Sequence, residues 1–244
     1  MKISFIRSPN FTPKKNRKVQ SVIIHYTGME TSSASIRRLK SKKSKVSCHY
    51  LIDNSGKIIQ MVKDQDIAWH AGISYWNGKT NLNNTSIGIE LQNKGEEFGY
   101  EKFRNRQITS LIELISVIKQ KYNICDAFIL GHSDIAPNRK IDPGYFFPWN
   151  QLFNAGIGLM PHFKSIDNKE ITNKGIKNLQ LLLKKFGYKL RISEVLDKET
   201  LQVLYAFQSH YCPAELKQFK ITNKLVVYLK ALIKAKNRSL TKKN

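Results

Sequence analysis

Residues 86–135 read SIGIELQNKGEEFGYEKFRNRQITSLIELISVIKQKYNICDAFILGHSDI, and the change of period inside them decides the fold class. SIGIELQ (86–92) alternates, with Ile87, Ile89 and Leu91 on one side and Gly88, Glu90 and Gln92 on the other, which is the pattern of a strand with one buried face. QITSLIELISVIKQKY (107–122) then places Ile108, Leu111, Ile112, Ile115 and Ile118 at helical spacing. AFILGHSDI (127–135) returns to a strand signal. Strand, helix and strand in succession argue for an α/β layer domain.

The same texture extends toward the N-terminus. VQSVIIHYT (19–27) is a β-branched run, SSASIRRLKSKK (32–43) a weaker helix, and CHYLID (48–53) with GKIIQMV (56–62) a hairpin turning at Asn54-Ser55-Gly56. The α/β unit is expected to close near Pro148-Trp149, which sets a first domain over 1–160. Beyond it, 173–188, 197–211 and 223–237 each carry apolar residues three and four apart, so a small helical domain is expected over 166–240. The polar stretch SIDNKEITN (165–173) suits a linker, and the tail NRSLTKKN (237–244) is expected to fray. So small a helical unit has little core of its own and would gain from docking on the first.

Composition bounds the rest. An apolar content of 41% promises a real core, while 41 Lys and Arg against 18 Asp and Glu leave a net charge of +23. Such a field favours anionic polymers, whether nucleic acid, acidic lipid or wall matrix, and says nothing of chemistry. Three cysteines with no CxxC spacing encode neither a disulfide framework nor a thiolate metal knuckle. The start, MKISFIRSPNFTPKKNRK, shows no apolar signal region, and no apolar run approaches the ~20 residues of a membrane span. The expectation is a soluble chain without a transmembrane segment.

Chemistry gathers in few places. His25 ends one strand signal, His132 lies in another, and Asp142 follows it by a proline-bounded loop. Two imidazoles and one carboxylate that leave a position open form the catalytic zinc pattern. A strand-end histidine is equally at home as a hydrogen-bonded structural residue, and spacing alone leaves both readings open. Glu90 tips the balance, because a carboxylate within a buried strand is costly unless it is paired or stands at a cleft. There it can take a proton from water, with burial raising its pKa toward the working pH. Lys140, two residues before Asp142, places a cation where an oxyanion could form. Cys48 and His49 are strand neighbours with side chains on opposite faces, which argues against a Cys–His dyad.

These residues lie in four ordered blocks: VIIHYTGM (22–29), SCHYLID (47–53), IAWHAGISYWNGKTNLNNTSIGIEL (67–91) and GHSDIAPNRKIDPGYFFPW (131–149). Together they resemble the zinc-dependent N-acetylmuramoyl-L-alanine amidases of the amidase-2 family, most of all the AmiD type. LQLLLKKFGY (179–188) and LDKETLQVLYAFQ (196–208) are similar to the small three-helix peptidoglycan-binding module. The resemblance implies a mixed central sheet flanked by helices. It also implies one zinc held by His25, His132 and Asp142, Glu90 and Lys140 as catalytic residues, and substrate contacts at Trp69, His70 and Asn84. The implied reaction is hydrolysis of the amide joining N-acetylmuramic acid, or its 1,6-anhydro form, to L-alanine of the stem peptide. Cys48 stands where phage-type relatives carry a tyrosine, so that role does not transfer, and no lipid-attachment cysteine lies near the start.

Two rivals are set aside on sequence. A recognition module of the same fold would lack a zinc ligand, and this chain keeps the full set. Sequence-specific nucleic-acid binding would need a reading motif, and none accompanies the scattered lysines. Peptidoglycan or muropeptide is the expected partner, with electrostatic attraction to anionic envelope polymers. The helical module favours the bacterial envelope or periplasm, and the unreadable signal favours a cytoplasmic recycling role. The first is preferred slightly.

Overall fold

The computed structural model describes residues 1–161, 173–216 and 221–241. Its centre is a six-stranded sheet in the order β1 (Ile3–Phe5), β5 (Ile58–Gln60), β4 (Tyr50–Ile52), β9 (Ser86–Leu91), β3 (Ser21–Tyr26) and β10 (Ile129–Gly131). The four strands β4, β9, β3 and β10 run parallel, β5 runs against β4, and β1 lies parallel to β5. The sheet is therefore mixed. Two antiparallel pairs stand apart from it: β2 (Phe11–Thr12) with β6 (Ile67–Ala68), and β7 (Tyr75–Trp76) with β8 (Lys79–Thr80).

Strand alternation sorts the sheet into two faces. Val22, Ile24, Ile87, Ile89, Leu91 and Ile129 form one core with α3 (Asn105–Tyr122) and α5 (Trp149–Asn154). The helix turns Ile108, Leu111, Leu114, Ile115 and Ile118 inward, so Leu114 takes the buried position and Ile112 is only half-buried. Gln107, at the head of α3, donates to the carbonyls of Ile52 and Gln92 and so pins the helix to two strand ends. Helix α1 (Ser32–Lys40) begins on a Thr31 cap whose hydroxyl accepts the Ala34 N–H at 3.2 Å. The turn α2 (Gly95–Phe98) follows β9.

The opposite face holds Ile23 and Leu130, and here the C-terminal helices pack. Helix α6 (Asn173–Phe186), α7 (Lys198–Tyr211) and α9 (Asn223–Thr241) share one core with Ile23, Ala71, Trp76, Leu130 and Ile135. Trp76 stands edge-on to Phe186 and Tyr188, and the buried Lys236 donates to Asn77 Oδ1 at 2.8 Å and the Phe186 carbonyl at 2.6 Å. The short α8 (Pro213–Leu216) follows α7. Two expectations shift. The strand expected over 127–135 stops at Gly131, because Asp134 folds back onto the Gly131 N–H and starts the short α4 (His132–Ile135). Helix α9 continues through Ser239 to Thr241, so the tail is helical as far as the described residues run. Up to Thr172, the expected linker lies outside the described residues.

Candidate metal centre

The parallel strands end together, and their carboxyl ends carry the site. Register sets His25 beside Glu90 across β3 and β9. It also sets Gly131 beside Ile24, so His132, one residue on, comes level with His25. Alternation then puts His25, Gly88 and Glu90 on the face turned away from the α3 core. Asp142 is returned by the loop after α4, where the Ser133 N–H donates to the Asp142 carbonyl at 2.8 Å. Tyr100 secures the far side, donating its hydroxyl to the Pro143 carbonyl at 2.7 Å and accepting the Phe146 N–H at 2.9 Å.

His25 Nδ1, His132 Nδ1 and Asp142 Oδ2 form a triangle with sides of 3.0, 3.1 and 3.1 Å, and all three residues are buried. The surrounding hydrogen bonds show which atoms are turned inward. Ser86 donates its hydroxyl to the Leu82 carbonyl at 2.6 Å, so toward His70 Nε2, at 3.2 Å, it can only accept. His70 thus carries its proton on Nε2 and turns the Nδ1 lone pair to His25 Nε2, 3.0 Å away. His25 must donate there, which leaves its own Nδ1 bare. His132 Nε2 lies 3.3 Å from the Ala71 carbonyl and 3.4 Å from the Arg139 guanidinium, and its Nδ1 has no partner outside the triangle. Two ring nitrogens and a carboxylate oxygen converge, and a cation is what such a set can hold.

The charges agree. Burial, followed by His132, lowers the His25 pKa to about 4, so the ring is neutral at pH 7. Burial and the neighbouring His25 push His70 well below its ordinary value. For Asp142 burial alone would raise the pKa, but His132 and His25 outweigh it and hold the carboxylate well below its usual range. Glu90 goes the other way. Burial first and Asp142 second push it well above the carboxylate range, with Lys140 opposing, and its buried Oε2 has no hydrogen-bond partner. A cleft of about 570 Å³ opens over the triangle, and Glu90, Lys140, Trp69 and His70 all line it.

The structure therefore brings His25, His132, Asp142, Glu90 and Lys140 to one cleft. His70 lies behind His25 as its hydrogen-bond partner, with an edge on the cleft. The Trp69 indole N–H is engaged by Thr12 Oγ1 at 3.0 Å. Asn84 is exposed and outside the cleft lining; its neighbour Asn83 is the built-in residue, accepting the His70 and Ala71 N–H groups at 3.0 and 2.7 Å. Gly88 explains itself here. A Cβ on it would meet the His70 ring at 2.3 Å, so the strand must offer no side chain where His70 sits. Sequence reading missed this relay, because Ser86, His70 and His25 share no local pattern. It also missed Arg139, which donates to the Ala71 and Ile73 carbonyls and ties the loop to that segment. His49 is structural: its Nδ1 accepts the Gly88 N–H at 2.9 Å, and burial, with Arg17 second, lowers its pKa to about 3. Cys48 is a buried thiol, pushed up by burial and then by the Glu90 charge.

A profile of the N-acetylmuramoyl-L-alanine amidase family matches residues 15–145. N-acetylmuramoyl-L-alanine amidase AmiD of Escherichia coli (strain K12) is 37% identical over 213 residues, which span 80% of this chain and 76% of AmiD. The 1,6-anhydro-N-acetylmuramyl-L-alanine amidase AmpD of Haemophilus influenzae is 34% identical over 62% of this chain and 90% of its own. Among solved structures, the complex of AmiD from E. coli with the substrate anhydro-N-acetylmuramic acid-L-Ala-D-γ-Glu-L-Lys is similar at a TM-score of 0.80 and 32% identity, over 94% of this chain and 93% of that one.

Proposed function

This chain belongs to the N-acetylmuramoyl-L-alanine amidase family and is an enzyme of that activity, and from that premise we propose that one zinc ion held by His25, His132 and Asp142 serves its reaction. The observation that carries the reading is the triangle of two ring nitrogens and a carboxylate oxygen beside an unpartnered Glu90 oxygen. Tetrahedral zinc at ~2.0–2.1 Å from its ligands spaces them about 3.3 Å apart, close to the 3.0 and 3.1 Å seen here. Zinc supplies Lewis acidity, which polarises an amide carbonyl and acidifies water.

The chain's own residues divide the remaining work. Glu90 Oε2 is free to accept a proton from the attacking water, and its raised pKa makes it able to return that proton to the leaving alanine nitrogen. Lys140, in the cleft wall, stabilises negative charge developing on the former carbonyl oxygen. The His70–Ser86–Leu82 relay keeps His25 in the tautomer that presents Nδ1. The bond cut joins the lactyl carbonyl of the muramic acid to L-alanine. The likeness to AmpD and to the AmiD complex supports 1,6-anhydro muropeptides as substrates beside intact peptidoglycan. Residues 166–240 are assigned as a peptidoglycan-binding unit beside a catalytic unit over 1–160. A polymer-binding unit supports an envelope or periplasmic location over cytoplasmic recycling, and the charge of +23 supports attraction to anionic envelope polymers. Among the described residues no helix is long and apolar enough to cross a membrane.

The test is zinc content together with mass spectrometry of products from anhydro-muropeptide and from whole sacculi. About one zinc per chain and release of free stem peptide, both lost on chelation and restored by zinc, is the expected result. Zinc-loaded protein that binds muropeptide and releases nothing would make this a recognition module instead.

A further inference from the structure

Two of the three metal-binding residues, His132 and Asp142, sit on one loop, and the strand beneath it ends at Gly131. What holds that loop comes from the far end of the chain. Asp134, on α4, is buried, and its carboxylate takes three donors. Oδ2 accepts the Gly131 N–H at 2.8 Å and His210 Nδ1 at 2.7 Å, while Oδ1 accepts the Tyr188 hydroxyl at 2.7 Å. The first of these bonds caps the turn on which His132 begins. The other two come from α7 and from the segment after α6.

His210 is itself clamped. Its ring stacks on Trp149 with centroids 3.5 Å apart and planes at 16°, and on Tyr211 at 3.8 Å and 9°. Trp149 closes the loop from its other end, and a Cβ on Gly131 would meet Pro143 at 2.7 Å and Trp149 at 3.4 Å. A weaker tie lies farther along, where the Gln202 amide of α7 reaches the Asn138 carbonyl at 3.4 Å. An ordinary docking contact between helices and a sheet needs no buried carboxylate, since apolar packing alone would serve and leaves nothing to desolvate. Such packing exists nearby, at Trp76 against Phe186 and Tyr188. The Asp134 contact does something different.

We propose that Tyr188 and His210 are positioning residues of the metal centre, and that the C-terminal helices complete that centre by holding Asp134. Their hydrogen bonds set the turn from Gly131 into α4, and the turn sets where His132 Nδ1 stands relative to Asp142. Metal binding and helix docking are then linked, each strengthening the other. This rests on the zinc reading above. It also gives the helical unit a second role beside wall binding, so the loop would loosen if those helices came away.

The experiment uses the full chain and reads zinc affinity by competition with a chelator, alongside the unfolding temperature of the zinc-free protein. Tyr188→Phe removes only the hydroxyl, and His210→Phe keeps a ring between Trp149 and Tyr211 while removing the donor. Each is expected to raise the zinc dissociation constant roughly tenfold, the low end of the range for residues that support metal ligands. Lys236→Ala is the control, removing the α9 bonds to Asn77 and the Phe186 carbonyl at the same junction; it should lower the unfolding temperature and leave zinc affinity within about twofold of wild type. Zinc affinity unchanged in Tyr188→Phe and His210→Phe, or changed equally in Lys236→Ala, would overturn the proposal and leave the zinc reading standing. A wild type that binds no zinc would overturn both.

Discussion

Two carboxylates on neighbouring parts of the same sheet, Asp64 buried and Glu90 half-buried with one buried oxygen, are treated in opposite ways. Asp64, beyond the end of β5, accepts from Tyr50 at 2.5 Å, Gln60 at 3.1 Å, Tyr122 at 2.9 Å and Lys121 at 3.0 Å. Burial alone would raise its pKa, yet the bonds from Tyr50, Lys121 and Tyr122 outweigh burial and hold it below the ordinary value. Glu90, at the carboxyl end of β9, has Lys140 as a neighbour and no partner on Oε2, and its pKa is pushed well up. One region spends its polar groups on each other, and the other leaves one spare. A saturated carboxylate holds a structure together, whereas an unsatisfied one at a cleft is available for proton transfer.

The sharpest way to break this contrast is Glu90→Gln. Turnover should fall by about 10²–10⁴, the range for a general acid–base group, with zinc content kept. Stability to urea should stay level or rise, since no hydrogen bond to Oε2 is lost and a buried acid is removed. A loss of stability without loss of turnover would place Glu90 with Asp64 as structural.

Asp64→Asn is the reciprocal change. It should cost about 1.5–3 kcal/mol, as for hydrogen bonds to a charged group, with turnover unchanged. Its pH signature follows from the sign of the shift. The folded pKa lies below the unfolded value of ~3.9, so the stabilisation is present above that value and is lost as pH falls through the folded pKa. In urea titrations the gap between wild type and variant should therefore begin to close as pH falls below about 4. A gap that does not narrow on further acidification would show that shape, and not charge, explains the loss.

Smallest of all is Lys121→Ala. The lysine side chain is 57% exposed against 7% for Asp64, so solvent screens the pair and about 0.2–1 kcal/mol is expected from the same titration. A larger loss would mean that the cation, and not the two tyrosines, anchors Asp64.

The two carboxylates were not equally legible. Glu90 stands out in SIGIELQ because a charge interrupts an apolar alternation, and the resemblance of four ordered blocks put it with His25, His132, Asp142 and Lys140. Asp64 lies in a polar loop with nothing to mark it, since Tyr50 and Tyr122 come from elements 14 and 58 residues away. Asn84 was read as a contact on its place in a block, but a turn of chain points Asn83 inward and leaves its neighbour exposed. His132 was assigned to a strand because AFILGHSDI is apolar at its start. The side chain of Asp134, bonding back to Gly131, ends that strand and no propensity reports it.

By itself the sequence determined the elements and the chemical inventory. Periodicity of two and of 3.6 residues reports which faces are apolar, and that is local information. It also marked five residues whose types suit a metal centre. Only the tertiary structure decided how they act. Parallel register brought His25 level with Glu90 and His132. A bare glycine made room for the His70 ring. Two residues from the last third of the chain closed on Asp134. Such contacts depend on distances between residues far apart in the chain, and those distances exist only once the sheet has formed and both of its faces are covered.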